Sequence, residues 1–286
     1  MKSLYTVTLF SFILHSAIAD ELVVIQVDTK GCPVKSFPGE YSYDRRLQDN
    51  PSNWGDLKEE FAMCKHGVRQ SPIDFHQNVK YERRSEGPQP NIKEANMTMG
   101  SGPFNWALSC SDDSGSCGTT TFGGKTFQLI NIHFHSPSEH TLLGKAYPVE
   151  CHLVHASEDG DLLVLGSMFE YADDKTYSGK VYQPMKDEYG DNDFITSIMN
   201  GVKDDWGEWR IDMRDLINHN KGYCSYIGSL TTPPCTEDVT WFMSMKVNSV
   251  SRRQVHEYAR SCGTSIEGNH RPLQPINGRD LTCYVM

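Results

Sequence analysis

The feature that most constrains this chain is His133-Phe134-His135, followed seventeen residues after His135 by His152 in Glu150-Cys151-His152-Leu153-Val154-His155. Side chains alternate faces along a strand, so His133 and His135 point one way and Ile132 and Phe134 the other. Glu150, His152 and Val154 share a face of a second strand in the same manner. Two imidazoles from one strand and a third from its neighbour make a three-nitrogen site. A catalytic zinc takes three protein ligands and keeps a fourth position open. Spacing alone leaves a competing reading, in which all three are hydrogen-bonded core histidines.

At 286 residues the chain has room for one large domain or two small ones. Its formal net charge of -10 argues against a nucleic-acid partner, because nonspecific binding there rests on Lys and Arg neutralising phosphates. The first residues read as a secretory signal. Lys2 supplies the positive start, Leu4 to Leu14 is mainly apolar, and Ala17-Ile18-Ala19 fits the small-x-small cleavage pattern. Cleavage is expected after Ala19. The apolar run is short for a membrane span of about 20 residues, and Leu281 to Met286 lacks the character of a lipid-anchor tail. The expectation is a secreted protein with no membrane anchor; its oligomeric state is left open.

Nine cysteines stand at positions 32, 64, 110, 117, 151, 224, 235, 262 and 283. In an oxidising compartment most should pair, and the odd number leaves at least one thiol over. Cys151 is the expected free one, lying between Glu150 and His152 on the opposite strand face. Cys110 and Cys117 are near enough in sequence for a local bridge. Asn96-Met97-Thr98 is a glycosylation sequon.

Residues 20–39 read as an N-terminal extension, and 40–286 as one domain. Short apolar or alternating runs at Thr126 to Phe134, Glu150 to His155, Leu162 to Phe169 and Val239 to Val247 read as strands between turn clusters. Helices are few: Asp193 to Asn200 stops at Gly201, and Ser251 to Arg260 opens on the capping pattern Ser251-x-x-Gln254. The fold class is mostly β with a few short helices.

Further segments complete a pattern: Asn53-Trp54-Gly55, Arg69-Gln70-Ser71-Pro72-Ile73-Asp74, Ser138-Glu139-His140, Gly228-Ser229-Leu230-Thr231-Thr232-Pro233-Pro234-Cys235 and Arg271-Pro272-Leu273-Gln274-Pro275. Together and in this order they resemble the α-class carbonic anhydrases, from about Tyr41 to about Tyr284. The resemblance implies one domain on a large twisted, largely antiparallel sheet of about ten strands, with zinc in a conical cleft. It implies reversible hydration of carbon dioxide to bicarbonate and a proton. In that family His133, His135 and His152 match the zinc ligands. Thr231 matches a threonine that accepts a hydrogen bond from zinc-bound hydroxide and donates one to a buried carboxylate, here Glu139. Thr232 matches its neighbour in the cleft. Val154, Val164, Leu230 and Trp241 match the apolar wall for carbon dioxide, and Tyr43 a tyrosine of the water network. Glu150 matches a carboxylate that orients a ligand histidine. Asn131 stands where the family commonly has the longer glutamine, so its reach is expected to be shorter or bridged by water.

In carbonic anhydrases zinc brings the pKa of bound water to about 7, which three neutral imidazoles favour by leaving the metal dipositive. By the same resemblance Cys64 and Cys235 are expected to pair, whereas Cys32, Cys224, Cys262 and Cys283 stay unassigned. His140 and His155 are expected to be structural, and His66, His76, His219, His256 and His270 to lie on the surface or in loops. Fast family members carry a proton-relay histidine two residues before a Phe-Asn pair; before Phe104-Asn105 that place is Gly102. The rival reading is a storage or mineral-matrix protein that kept the fold.

Overall fold

Strand alternation and strand pairing position everything that follows. The computed structural model describes residues 41–285 apart from 77–78, 93, 101–105, 111–116, 173–189, 204–207, 215, 217–221 and 262–267. The signal and extension inferred for residues 1–39 therefore lie outside the described residues. In chain order the strands are β1 (Asp74–Phe75), β2 (Lys80–Arg83), β3 (Gln89–Asn91), β4 (Glu94–Gly100), β5 (Ala107–Cys110), β6 (Thr119–Phe122) and β7 (Lys125–His135). They continue as β8 (Thr141–Leu142), β9 (Val149–Ser157), β10 (Leu162–Tyr171), β11 (Glu208–Asp212), β12 (Tyr223–Ser229), β13 (Glu237–Val250) and β14 (Thr282–Val285). The α-helices are α1 (Trp54–Leu57), α2 (Met63–His66), α3 (Asp193–Lys203) and α4 (Arg252–Ser261).

Among the described residues, twelve strands form one sheet in the order β11-β4-β5-β7-β9-β10-β13-β12-β14-β2, with β6 on β7 and β3 on β6. Ten lie on the main path. The two beyond the expected ten, β3 and β6, are three and four residues long, too short to show clear alternation. Most pairs are antiparallel, but β10–β13 and β14–β2 are parallel, so the sheet is mixed. β1 and β8 make a separate parallel pair.

The two faces of the central strands go to different places. Ile132, Phe134, Cys151, Leu153, Leu163 and Phe242 join one core with Phe194, Ile195 and Ile198 of α3 and Tyr258 of α4. Val164 and Trp241 belong to a second cluster with Ile73, Phe75 and Tyr226. α3 runs past the expected stop at Gly201, which is itself buried. Packing of its apolar face outweighs the roughly 1 kcal/mol that a mid-helix glycine costs.

Candidate metal centre

The three histidines meet because β7 and β9 are antiparallel neighbours in a register that sets His133 opposite His152. His135, two residues on, shares the face of His133. A register irregularity between Leu129 and Asn131 turns Ile130 outward, 45 % exposed, and keeps Asn131 on the face of His133. Ring centroids lie 5.2 Å apart for His133–His135, 4.7 Å for His135–His152 and 5.0 Å for His133–His152. One nitrogen from each ring lies within 4.8 Å of the others. His135 and His152 are buried, while His133 keeps partial solvent access.

The outward nitrogens decide the tautomers. His133 Nδ1 lies 2.6 Å from Asn131 Oδ1, whose amide is oriented by Asn131 Nδ2 donating to the Leu108 carbonyl. The shorter asparagine thus makes the contact directly, where a shorter reach or a bridging water was expected, because residues two apart on one strand face are close. His135 Nδ1 meets the Asn269 carbonyl at 2.7 Å, and His152 Nε2 meets Glu150 Oε1 at 2.6 Å. Each partner is an acceptor, so each outward nitrogen carries the proton and each inward nitrogen is a bare lone pair. Burial lowers the pKa of all three rings, that of His135 to about 4, which keeps them neutral. His152 Nδ1 and His133 Nε2 are only 3.2 Å apart, and His135 Nε2 is buried without a hydrogen-bond partner. Converging lone pairs with no proton between them repel unless a cation lies among them. The donor set fits a zinc ion, which three imidazoles bind with a fourth position left open.

Glu150 is itself anchored. Its Oε2 accepts from the His140 backbone N–H at 2.8 Å, and its Oε1 from His140 Nδ1 at 2.6 Å. Burial alone would raise its pKa, but His140 and His152 outweigh it and hold the carboxyl well below its usual range. His140 Nε2 in turn contacts the Tyr226 hydroxyl at 2.6 Å, which contacts Ser71 Oγ at 2.7 Å. Glu139 is also buried; its Oε1 accepts from the Arg271 backbone N–H at 2.9 Å. Its Oε2 is buried, 3.4 Å from His135 Nε2, with no partner at ideal hydrogen-bond geometry, and the Thr231 side chain lies near the same carboxyl. Burial pushes the Glu139 carboxyl up to about 7, while the neighbouring Thr231 hydroxyl and the Arg271 N–H favour the ionised form.

Several of the remaining sequence-derived residues pack near this centre. Thr231 is buried and Thr232 half-buried. Val154, Val164 and Trp241 are register partners across β9, β10 and β13, and the half-buried Leu230 packs on the same cluster. The Trp241 ring lies 4.8 Å from that of His152. Tyr43 packs on Trp54 at 5.4 Å; burial, then the Glu139 charge, raises its phenol pKa.

A profile of the eukaryotic-type carbonic anhydrases matches residues 49–285. The chain belongs to the α-carbonic anhydrase family. Among relatives it is 31 % identical to dioscorin dioA3 of Dioscorea japonica over 246 residues, 86 % of each chain. It is 29 % identical to α carbonic anhydrase 4 of Arabidopsis thaliana over 248 residues, 85 % of each. The solved α-carbonic anhydrase of Photobacterium profundum superposes with a TM-score of 0.67 at 30 % identity, covering 85 % of this chain and all of that one. The family is zinc-dependent, and the histidine cluster supplies a matching donor set.

Other residues expected to matter fall in varied places. Cys64–Cys235 and Cys110–Cys117 are disulfides, and so are Cys224 and Cys283, register partners on β12 and β14 that sequence could not pair. Cys151 is buried and free, its thiol pKa raised by burial. Asn96 is exposed on β4. His66 and His256 are exposed, and His76 and His270 half-buried. Gly102, His219, Cys32 and Cys262 lie outside the described residues. Sequence reading missed Asn269, which acts through a backbone carbonyl and so has no side-chain signature. It also missed a role for Arg271, although that residue opens a quoted motif.

Proposed function

We propose that this chain is a secreted, zinc-dependent carbonic anhydrase that reversibly hydrates carbon dioxide to bicarbonate and a proton. The observation that carries the reading is the convergence of three bare imidazole nitrogens, each with its opposite nitrogen anchored by an acceptor. Zinc bound there supplies a Lewis acid that brings the ionisation of water into the neutral range. Thr231 has one hydroxyl proton. Shared in a hydrogen bond with Glu139, it leaves the threonine oxygen to accept from the attacking oxygen and turn that oxygen's lone pair toward carbon. Val154, Val164, Leu230 and Trp241 form the apolar side, suited to a substrate without charge, and Thr232 stands on the polar side. Tyr43, beside Glu139, belongs to the water network. Cleavage after Ala19, a catalytic domain over 40–286 and a glycan on Asn96 complete the reading; intact mass before and after glycosidase treatment checks all three.

Stopped-flow carbon dioxide hydration by the purified mature protein, with and without a chelator, is the test. About one zinc per chain and chelator-sensitive turnover are expected, with metal and activity lost together in His152→Ala. Full zinc in that variant would overturn the ligand assignment. Zinc-loaded protein without turnover would overturn the enzymatic reading in favour of a storage or mineral-matrix role.

A further inference from the structure

Arg271 is 2 % exposed, and its guanidinium bonds only carbonyl oxygens. Nη1 donates to Gln70 Oε1 and to the Ser71 carbonyl, both at 2.8 Å, and Nη2 donates to the Cys64 carbonyl at 2.9 Å. Nε is buried without a partner. A buried cation is a poor route to stability even with the Glu139 charge nearby and the Trp54 ring 5.9 Å from the guanidinium, since desolvation opposes every bond it makes. What the side chain connects is more telling.

Gln70 Nε2 donates to the Cys235 carbonyl at 3.1 Å, four residues after Thr231. Ser71 and Ser229 clasp each other, Ser71 N–H donating to Ser229 Oγ at 2.9 Å and Ser229 N–H to Ser71 Oγ at 3.0 Å. The guanidinium therefore grips the stretch from Gln70 to Ser71, which holds the Ser229–Cys235 segment at both ends. Cys64, its third acceptor, is bonded through sulfur to Cys235. At the other end of the same residue, the Arg271 backbone N–H meets Glu139 Oε1 at 2.9 Å. With Oε1 occupied, Oε2 is the oxygen left over, 3.4 Å from His135 Nε2, on a carboxyl that the Thr231 side chain also neighbours.

We propose that Arg271 is a positioning residue. Its fork ties the Thr231 segment to the peptide that orients Glu139, so that Oε2 and the threonine hydroxyl meet in one geometry. Its effect on turnover rests on the carbonic anhydrase reading; its hold on Glu139 does not. Lysine keeps the charge but cannot bridge carbonyls with a planar fork.

In Arg271→Lys, kcat per bound zinc should fall roughly 10–100-fold, the scale of an ångström-level misplacement, with KM and zinc content unchanged. The amide of residue 271, which Glu139 Oε1 accepts from in the unmodified protein, should exchange faster with solvent. A lower melting temperature with unchanged kcat per zinc and unchanged exchange at that amide would overturn the proposal and leave a merely structural brace. If Arg271→Lys does not fold, the unmodified protein decides. Its Arg271 amide should exchange slowly and shift in Glu139→Gln; an amide that exchanges like an open loop and ignores that change overturns the proposal. An unmodified protein that does not hydrate carbon dioxide would sink the enzymatic reading, while the amide measurement still tests Arg271.

Discussion

Asn131 shows how little slack a metal-binding side chain has. It reaches His133 Nδ1 at 2.6 Å with one methylene fewer than glutamine. Such partners fix the ring's tautomer and direction, and their loss typically weakens metal binding by roughly 10–100-fold. Asn131→Ala should therefore lower zinc affinity by about that factor in competition with a chromogenic chelator; unchanged affinity would show that the anchor does not matter. A second prediction concerns Gly102, which has no titratable group where a relay histidine is expected. Histidine suits the relay because its pKa, about 6.5, lies near that of the group it serves. Turnover should rise steeply with buffer concentration, and Gly102→His should be faster at low buffer. Positioned acid–base help is worth roughly 10²–10⁴-fold, part of which buffer recovers. Fast turnover indifferent to buffer in the unmodified protein would refute this.

At the scale of elements, the N-terminus of α4 joins local and long-range order. Gln254 N–H donates to Ser251 Oγ at 3.1 Å, and Ser251 N–H to Gln254 Oε1 at 3.2 Å, a reciprocal cap. Gln254 is also fully buried, accepting from Asn192 N–H at 2.9 Å and donating to the Asn192 carbonyl at 2.8 Å and Thr196 Oγ1 at 3.0 Å. It therefore caps one helix and fastens another. Ser251→Ala should cost about 0.5–2 kcal/mol, the usual range for a lost cap. Gln254→Ala should cost more, because each buried backbone group left unsatisfied adds about 1–3 kcal/mol. Urea unfolding of the two variants checks the order; equal losses would mean that the bonds to α3 contribute nothing.

For the whole molecule, buried neutral histidines set an acid limit. His155 lies off the metal centre, its Nδ1 2.9 Å from the Leu153 carbonyl and its Nε2 3.1 Å from Thr120 Oγ1. Burial lowers its pKa to about 4 from 6.5. A lowered pKa on a base means that the unfolded chain takes up the proton first. The stability tied to neutral His155 is therefore intact above pH 6.5, falls as pH drops toward 4, and changes no further below that. The full effect is on the order of 3 kcal/mol. Urea titrations from pH 7 to 4 should show this slope reduced in His155→Gln; an identical slope would place the acid sensitivity elsewhere.

How much of this was readable beforehand depends on distance along the chain. Alternation is a local property, so His133 with His135, and Glu150 with His152 and Val154, could be placed on shared faces from the sequence, and so could the capping residues of α4. The expected secretory signal, by contrast, was read from the sequence of residues 1–19, which lie outside the described residues. Tertiary structure decided whatever joins remote segments or uses the backbone: the register setting His133 opposite His152, the Cys224–Cys283 bond, the Asn269 carbonyl on His135 and the fork of Arg271. A carbonyl has the same chemistry at every residue, and a register exists only once two strands meet. Neither leaves a mark on residue identity, whereas the period of a strand does.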